Sequence, residues 1–328
     1  MRQKIVTLQK NLFKGDAVEK LADKLVWLIL IGALVILGII QPAFFTVVII
    51  RNIFIQAAAL GVMTIGLSHT LMLGEIDLST VGTMAFSAGL GAFLMTNYDL
   101  PWFWAVLVII SFGCLVGFFN GLIITKLRAA ALIETIAMNL ILIGGLLALT
   151  GGRTFTNFPA AYNYIGKADL FGLPILPILL IVIAGIFEFI WANTMFGRSL
   201  YATGGNINCA RASGINVDRI KIVAFIISAG LSAFSGWMYS AYMGAVPASF
   251  GRDMQMYALA SAVIGGVSLT GGIGKIHGVV GGVLLITIFN VGLQIMGISP
   301  YLVNTTGGIM IMIAVIIDAL KNKYRAGH

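Results

Sequence analysis

Two carboxylates that lie between apolar runs are the first residues in the sequence that could do chemistry. Glu75 and Asp77 belong to the segment Gly74-Glu75-Ile76-Asp77-Leu78-Ser79. A carboxylate at the start of a helix can accept free backbone N–H groups and interacts favourably with the helix dipole. We therefore expect Asp77 to cap the helix that follows, with direct contact to a solute as the alternative. The further candidates for these two roles are Ser79, Asn120 and Asn290.

The residue types that build catalytic centres and metal sites are scattered along the chain. His69, His277 and His328 have no metal-ligand spacing with one another or with Cys114 and Cys209. A single histidine in an apolar helix is expected to be packed and hydrogen-bonded. Two cysteines are too few for a disulfide framework, so we expect free thiols. The pattern predicts neither a catalytic residue nor a bound metal.

A phosphate-binding loop would be the sign of an ATPase within this chain. Gly274-Lys275 is followed by Ile276, and Gly166-Lys167 is followed by Ala168. Neither pair supplies the Ser or Thr that the loop requires for Mg²⁺. The sequence therefore predicts that any ATP hydrolysis takes place on another subunit.

The polar segment 194–218 is the most informative stretch outside the apolar runs. Asn206 is suited to cap the start of a helix, and Gly214 is suited to the left-handed position after its end. The residues between them have room for about two helical turns. A short capped helix that projects from an apolar domain fits a groove in a partner protein, and an ordinary capped linker is the alternative.

The composition determines the solvent in which these residues must be placed. Of the 328 residues, 59% are hydrophobic and 10% are charged, and the mean hydropathy is +1.01. Soluble domains carry roughly 25% charged residues, so a soluble protein of this composition could not cover its apolar surface. The sequence predicts an all-α membrane protein, in which the net charge of +8 reflects basic loops at one membrane face rather than nucleic-acid binding.

A spanning helix needs about 20 largely apolar residues. The chain offers about ten such segments, and 77–96 and 254–270 are short or interrupted by glycine, so that either can be broken or re-entrant. The ten predicted segments are 25–41, 53–73, 77–96, 102–125, 130–150, 174–193, 219–243, 254–270, 276–297 and 300–320.

The distribution of basic residues predicts how these segments are oriented. With ten spans, sixteen of the twenty Lys and Arg residues fall on the side of the two termini, and Arg51, Arg153, Lys167 and Arg252 fall on the other. Basic loops face the cytoplasm. We therefore expect a cytoplasmic tail 1–24, a transmembrane domain 25–320 with a cytoplasmic loop 194–218, and a cytoplasmic tail 321–328. The run 25–41 is expected to be a retained span rather than a signal peptide.

The spacing of the segments suggests an internal duplication. Phe119-Asn120 and Phe289-Asn290 end the fourth and ninth segments, 170 residues apart. The same offset places segments two to five over segments seven to ten. An offset of five spans reverses the orientation, so the pattern predicts an inverted repeat, as found in many transporters.

Three of these stretches together resemble the permease subunits of bacterial ATP-binding-cassette importers, in the ribose, xylose and galactoside branch. The first is Gly197, Tyr201-Ala202 and Gly204-Gly205-Asn206, followed by Ala210 and Ser213-Gly214-Ile215-Asn216-Val217. The second is the segment 74–79, in which Glu75 replaces the glycine usual in the family. The third is 262–274, Ala-Val-Ile-Gly-Gly-Val-Ser-Leu-Thr-Gly-Gly-Ile-Gly. The resemblance extends from about residue 25 to 321.

The resemblance implies a place in the bacterial cytoplasmic (inner) membrane and a set of partners. These are a second permease copy or a paralogue, ATPase subunits that carry ATP and Mg²⁺, a periplasmic or lipoprotein receptor for the solute, and lipid. It implies that 206–214 forms the coupling helix. The residues expected to couple to the ATPase are Gly197, Arg198, Gly204, Gly205, Asn206, Ala210, Arg211, Ser213, Gly214 and Ile215.

The function predicted on this basis is a permease subunit that forms the pathway for a simple sugar. A secondary transporter built from inverted repeats is the alternative from a different class, and it would need no ATPase partner. Within the importer class, a polyol, a nucleoside, a branched-chain amino acid or a signalling sugar are alternative cargoes. A channel and a membrane enzyme are disfavoured, because the sequence has no repeated pore-loop signature and no catalytic cluster.

Overall fold

A computed structural model describes residues 15–299 together with 302–303, 305–310, 312 and 315–316, with side chains from residue 26 on. The α-helices, numbered α1 to α12 in chain order, are Gly15–Ile40, Val47–Leu71, Thr80–Tyr98, Trp102–Lys126, Ala131–Thr150, Ala160–Lys167, Ile175–Asn193, Met195–Gly205, Ile207–Ala212, Val217–Met243, Met254–Ile264 and Ile276–Ile295. A 3₁₀ turn covers Pro42–Phe45, and strands β1 (Asp169–Leu170) and β2 (Leu173–Pro174) form a short antiparallel ribbon.

The predicted all-α fold is confirmed. Within the described residues, six helices are long and apolar enough to cross a membrane: α2, α4, α5, α7, α10 and α12. The apolar part of α1, Val26–Ile40, is shorter, and so is α11. Of the predicted segment 300–320, residues 302–303, 305–310, 312 and 315–316 are described and helical, and the others lie outside the described residues, as do His328 and most of the two predicted tails.

The predicted segments 77–96 and 254–270 differ from the helices that form there. Helix α3 begins at Thr80 rather than at residue 77. Helix α11 ends at Ile264, before Gly265-Gly266, and Gly266 has a φ of +94° that is strained for other residues. Eleven residues of helix extend roughly 16 Å, about half of the ~30 Å hydrocarbon core of a bilayer. The glycine-rich connector 265–275 therefore continues this segment in irregular backbone.

Helices α2, α10 and α12 form the centre of the bundle. In the most apolar 18-residue stretch of each helix, 61% of the residues are buried in α2, 56% in α10 and 72% in α12, against 17% in both α5 and α7. Helix α4 packs along α10 through Gly113, Gly117 and Gly121, which are spaced by one helical turn. Small residues at such contacts let two backbones approach closely. The outer helices α5 and α7 consequently present broad apolar faces to the surroundings.

The connections place different structures at the two ends of the bundle. Helices α8 and α9 lie at the end where α7 stops and α10 starts, which we call the α9 end. Helix α6 lies at the opposite end, the α6 end, where the Tyr162 hydroxyl is 2.6 Å from Ser240 Oγ and Phe155 forms a β-bridge with Val246. The loop 244–253 between α10 and α11 belongs to the α6 end.

Candidate functional site

The start of α3 is capped by side chains from other helices. Gln255 Oε1 of α11 accepts a hydrogen bond from the Val81 N–H at 3.3 Å, and Asn139 Oδ1 of α5 accepts one from the Gly82 N–H at 2.9 Å. Thr135 Oγ1 of α5 accepts from the Leu78 N–H at 3.0 Å. These groups satisfy donors that a helix start leaves free. The motif 74–79 is thus held in place by residues distant in the sequence.

Asp77 has a different role from the simple cap that the sequence suggests. Its side chain is fully buried, and Oδ1 accepts from the backbone N–H of Ser79 at 2.9 Å and from Ser79 Oγ at 2.6 Å. Oδ2 accepts from Ser228 Oγ of α10 at 2.8 Å. The helix starts at Thr80 with Ser79 as the N-cap residue, so the carboxylate bonds the residue before the first turn. Asp77 therefore ties the α2–α3 connector to α10.

Asn120 and Glu75 extend the polar contacts around Asp77 to α4 and to the start of α10. One end of the Asn120 amide on α4 is 2.9 Å from Ser79 Oγ, and the other end is 3.2 Å from Glu134 Oε1. Glu75 forms a largely buried ion pair with Lys221 at the start of α10. The structure thus brings together four of the predicted residues: Glu75, Asp77, Ser79 and Asn120.

Helix α8 packs directly on the connectors that carry the other two motifs. A Cβ added to Gly204 would lie 1.8 Å from the carbonyl oxygen of Met72 and 2.5 Å from the Gly272 nitrogen. The Gly272 N–H donates to the same Met72 oxygen at 2.8 Å. The Tyr201 hydroxyl donates to the carbonyl oxygen of Gly274 at 2.6 Å. The loop 194–218, the α2–α3 connector and the α11–α12 connector therefore meet at one junction, which we call the Gly204 junction.

Aromatic contacts extend this junction into the bundle. Burial, with a smaller effect of Glu188, raises the pKa of Tyr201 to about 12, so its phenol remains a donor at neutral pH. The ring packs edge-on against Trp191, whose Nε1–H donates to His69 Nε2 at 3.0 Å. His69 is fully buried and its Nδ1 lies 2.8 Å from the Ile65 oxygen. This confirms the packed, hydrogen-bonded histidine expected from the sequence.

Helix α9 has the caps that the sequence predicts. Asn206 Oδ1 accepts from the N–H groups of Asn208 and Cys209, both at 3.0 Å, and Gly214 has a φ of +80°. Ala210 is buried, whereas Arg211 and Ser213 are exposed. Cys209, like Cys114, is a free thiol, as expected. An exposed face of about one and a half helical turns therefore stands on a rigid base.

The other predicted residues of this loop divide between the base and the surface. Gly197 is buried against the last turn of α7 and donates its N–H to Thr194 Oγ1 at 3.2 Å, and Ile215 donates its N–H to the Ala210 oxygen at 3.1 Å. Arg198 and Gly205 are exposed, and nothing lies within 4 Å of a Cβ added to Gly205.

A polar cavity of about 790 Å³ opens at the α9 end. Its charged lining includes the Glu75–Lys221 pair and Lys126, whose Nζ is 3.5 Å from Asp218 Oδ2. Arg128 and Arg211 also line it. The cavity places the charged side of the motif 74–79 next to α9.

A second cavity, of about 400 Å³, lies at the α6 end and is lined by Asn290. We call it the Asn290 cavity. It is bounded by α2, α10, α11, α12 and the loop 247–253, and its lining includes Gln56, Tyr239, Tyr257, Thr287 and Gln294. Asn290 is thereby separated from the four residues around Asp77.

Sequence reasoning missed several of the residues that shape these sites. Gln255, Asn139 and Thr135 cap the α2–α3 connector and α3 from other helices, which no local pattern reveals. Thr287 was detectable, because with Asn290 and Gln294 it forms a polar i, i+3, i+7 stripe on a helix whose other residues after His277 are apolar. Among the described residues, no group of three His, Cys, Asp or Glu side chains could hold a metal ion.

Comparison with known proteins identifies relatives over nearly the whole chain. The family described as "Branched-chain amino acid transport system / permease component" matches residues 49–315. The ribose import permease protein RbsC of Bacillus subtilis is 32% identical over 325 residues, which cover 98% of this chain and 99% of the relative. RbsC of Escherichia coli is 31% identical over 304 residues, which cover 89% and 93% of the two chains.

A third relative is named for the import of a different solute. The autoinducer 2 import system permease protein LsrC of Salmonella typhi is 28% identical over 285 residues, 87% of this chain and 82% of the relative. No solved structure matches the chain.

Proposed function

Because this chain belongs to the branched-chain amino acid transport system / permease component family, we propose that it forms the membrane pathway for a simple sugar of the ribose class. The chain is a permease subunit of an ATP-binding-cassette importer, and the ATPase is a separate subunit. The main support for a coupling mechanism is that helix α9 is exposed, capped and adjacent to the Gly204 junction.

The relatives support the choice of cargo. Two ribose import permeases match this chain at 32% and 31% identity, and an autoinducer 2 permease matches it at 28%. A pentose is therefore the first solute to test. Competition by a polyol, a nucleoside, a branched-chain amino acid or a signalling sugar discriminates the alternatives.

We assign to α9 the role of coupling helix. Its exposed residues Asn208 and Arg211, with Ser213 at its C-cap, are available to a groove on the ATPase, while the buried Ala210 anchors the helix. Arg198 and Gly205 lie exposed on α8 beside it. On this proposal ATP and Mg²⁺ bind to the partner subunit, and this chain binds no cofactor.

The Gly204 junction is suited to pass a movement of α9 to the transmembrane helices. Helix α8 contacts the end of α2 at Met72 and the connector that leads to α12 at Gly272. Backbones packed this closely cannot slide independently, because even a methyl group does not fit between them. A displacement of α9 therefore moves α2 and α12 together, as alternating access between two states requires.

The proposed assembly has two permeases, identical or paralogous, with ATPases at the α9 end and a receptor at the α6 end. The chain is a protein of the inner membrane, and the distribution of basic residues supports cytoplasmic termini and a cytoplasmic α9 end. Ten spans in an inverted repeat remain our proposal for the complete transmembrane domain.

The coupling role is tested by adding a charge to the exposed face of α9. Ala212 is exposed on this helix, and Ala130 is exposed at the N-cap of α5, a position that tolerates Asp. We expect Ala212→Asp to abolish uptake of labelled ribose and the stimulation of ATP hydrolysis by loaded receptor in the complete importer. Ala130→Asp, with the same added charge, should retain both.

Membrane levels of the permease are measured by immunoblot beside both activities. Normal uptake by Ala212→Asp at normal membrane levels would exclude α9 as the coupling element. Equal loss in the two variants would show that added negative charge, rather than the helix, is responsible.

A further inference from the structure

The Asn290 cavity contains buried polar atoms without a protein partner. Thr287 and Asn290 are 3% and 8% exposed. Neither Thr287 Oγ1 nor Asn290 Oδ1 has a hydrogen-bond partner among the described residues. Both side chains line the cavity. Two residues one turn apart on α12 therefore both line this cavity, and each has a buried acceptor without a partner among the described residues.

This arrangement contrasts with the corresponding residue 170 positions earlier. Asn120, also within a transmembrane helix, has both ends of its amide within hydrogen-bond distance of protein atoms, at 2.9 and 3.2 Å. Leaving a buried polar group unpaired costs about 1–3 kcal/mol. A polar molecule in the cavity would supply the donors that Thr287 and Asn290 lack, whereas Asn120 is already paired with protein atoms.

The lining restricts the chemical class of that molecule. The buried polar groups are a neutral amide and a hydroxyl, and the charged side chains of the lining, Arg252 and Asp253, are exposed and of opposite sign. A charged solute would lose hydration here without a buried counter-ion. Hydroxyl groups, which both donate and accept, complement the amide and threonine directly.

The apolar part of the lining fits the same class of ligand. Tyr239 and Tyr257 are aromatic residues of the lining, and the ring centroid of Tyr239 lies 5.2 Å from that of Phe250. Such rings combine an apolar face with a polar tip, and a sugar ring likewise has apolar C–H faces and polar edges. The volume of about 400 Å³ lies in the lower part of the range of small-molecule pockets, about 300–1,000 Å³.

We propose that the Asn290 cavity is a binding site for a neutral polyhydroxylated solute, held by Thr287 and Asn290 on its way through the protein. The proposal rests on the proposed function and assigns to it the residues that contact the solute at the α6 end. The site lies away from α9, so its variants should change solute movement and leave the attachment of the ATPase intact.

The first test removes the hydrogen-bonding groups and keeps the branching of each side chain. Thr287→Val and Asn290→Leu are compared with Thr83→Val in the complete importer with labelled ribose. Thr83 is a suitable control because it is fully buried and its Oγ1 also lacks a partner in the described part of the chain, but it does not line this cavity. We expect each cavity variant to lower uptake about fivefold, the effect of one lost hydrogen bond, with Thr83→Val unchanged.

The second test detects occupancy directly. In a background with Cys114 and Cys209 replaced by Ser, Asn290→Cys should react with a membrane-impermeant thiol reagent, and saturating ribose should slow the reaction at least fivefold. Thr287→Ser, which keeps the hydroxyl, should transport like the wild type.

The outcomes separate this proposal from the proposed function. Failure of the wild type to import ribose refutes the cargo, whereas import that is unchanged in both cavity variants refutes the cavity site and leaves water as its occupant. An equal loss of uptake in Thr83→Val also overturns the cavity site, because a change in packing would then explain the effect. If a cavity variant fails to reach the membrane, protection of Asn290→Cys decides: lack of protection by ribose, xylitol and galactose rejects the site, whatever the cargo.

Discussion

At the scale of single residues, the most constrained group is the Asp77 carboxylate. A buried carboxylate is tolerated when its oxygens accept hydrogen bonds. Asp77 accepts from the N–H and the hydroxyl of Ser79 and from the hydroxyl of Ser228. Two of these donors belong to its own connector, and one belongs to α10. The Ser228 bond is therefore the contact through which Asp77 holds the connector against the centre of the bundle.

Removing this bond should destabilise the protein more than removing a similar hydroxyl nearby. Ser228→Ala leaves Asp77 Oδ2 without its donor, which should lower the stability by about 1–3 kcal/mol. Ser232 is equally buried, but its Oγ donates at 2.7 Å to the Ser228 carbonyl of its own helix, so Ser232→Ala should cost less than about 1 kcal/mol. The comparison is made by thermal unfolding of both purified variants in detergent. Equal shifts would show that Asp77 does not depend on Ser228.

The same region shows how far the sequence leads at this scale. Composition and local motif identify Asp77 and Ser79 as important, since polar residues between apolar runs are unusual. Their partners cannot be inferred, because Ser228 lies 151 residues from Asp77 and Asn120 lies 41 residues from Ser79. Caps such as Asn206 on α9 are predictable because their bonds span two or three residues. Contacts within one helical turn can be predicted from a sequence, and contacts across the bundle cannot.

At the scale of elements, the Gly204 junction joins three segments that are far apart in the chain. The sequence shows each of them as a glycine-containing motif, but their meeting depends on the packing of α8 against the α2–α3 and α11–α12 connectors. Helix α11 illustrates the same point, because hydropathy predicts a segment to residue 270 whereas the helix ends at Ile264. Hydropathy reports apolar character rather than helical backbone, and the irregular connector 265–275 begins with apolar residues such as the buried Val267.

The addition of a methyl group should have different effects at Gly204 and Gly205, the two neighbouring glycines at this junction. Gly204→Ala would place Cβ 1.8 Å from the Met72 oxygen, so the connector must move, whereas an added Cβ at Gly205 meets nothing within 4 Å. Overpacking of this kind costs about 1–3 kcal/mol, and we expect Gly204→Ala to uncouple ATP hydrolysis from ribose uptake. Gly205→Ala is the matched control and should transport normally.

The ratio of sugar molecules imported to ATP hydrolysed, measured in proteoliposomes with the complete importer, reports the coupling directly. A normal ratio in Gly204→Ala would contradict the transmission of movement through α8.

At the scale of the whole molecule, the two ends of the bundle differ in charge and in accessible structure. Four basic residues line the cavity at the α9 end: Lys126, Arg128, Arg211 and Lys221. The α6 end carries the β-ribbon, α6 and the Asn290 cavity, with Arg51 paired to Asp169 at 2.6 Å. This asymmetry is the physical basis for placing the α9 end in the cytoplasm, since basic residues are retained on that side.

The orientation can be tested with the native cysteines. Cys209 on α9 is exposed, whereas Cys114 within α4 is partly buried. A membrane-impermeant maleimide should therefore label the wild type in inverted membrane vesicles and not in intact cells, and Cys209→Ser should remove this labelling. Thr156, which is exposed at the α6 end, gives the opposite probe: Thr156→Cys in the Cys209→Ser background should be labelled from outside. Labelling of Cys209 from outside would place α9 on the wrong side of the membrane for an ATPase and would refute its coupling role.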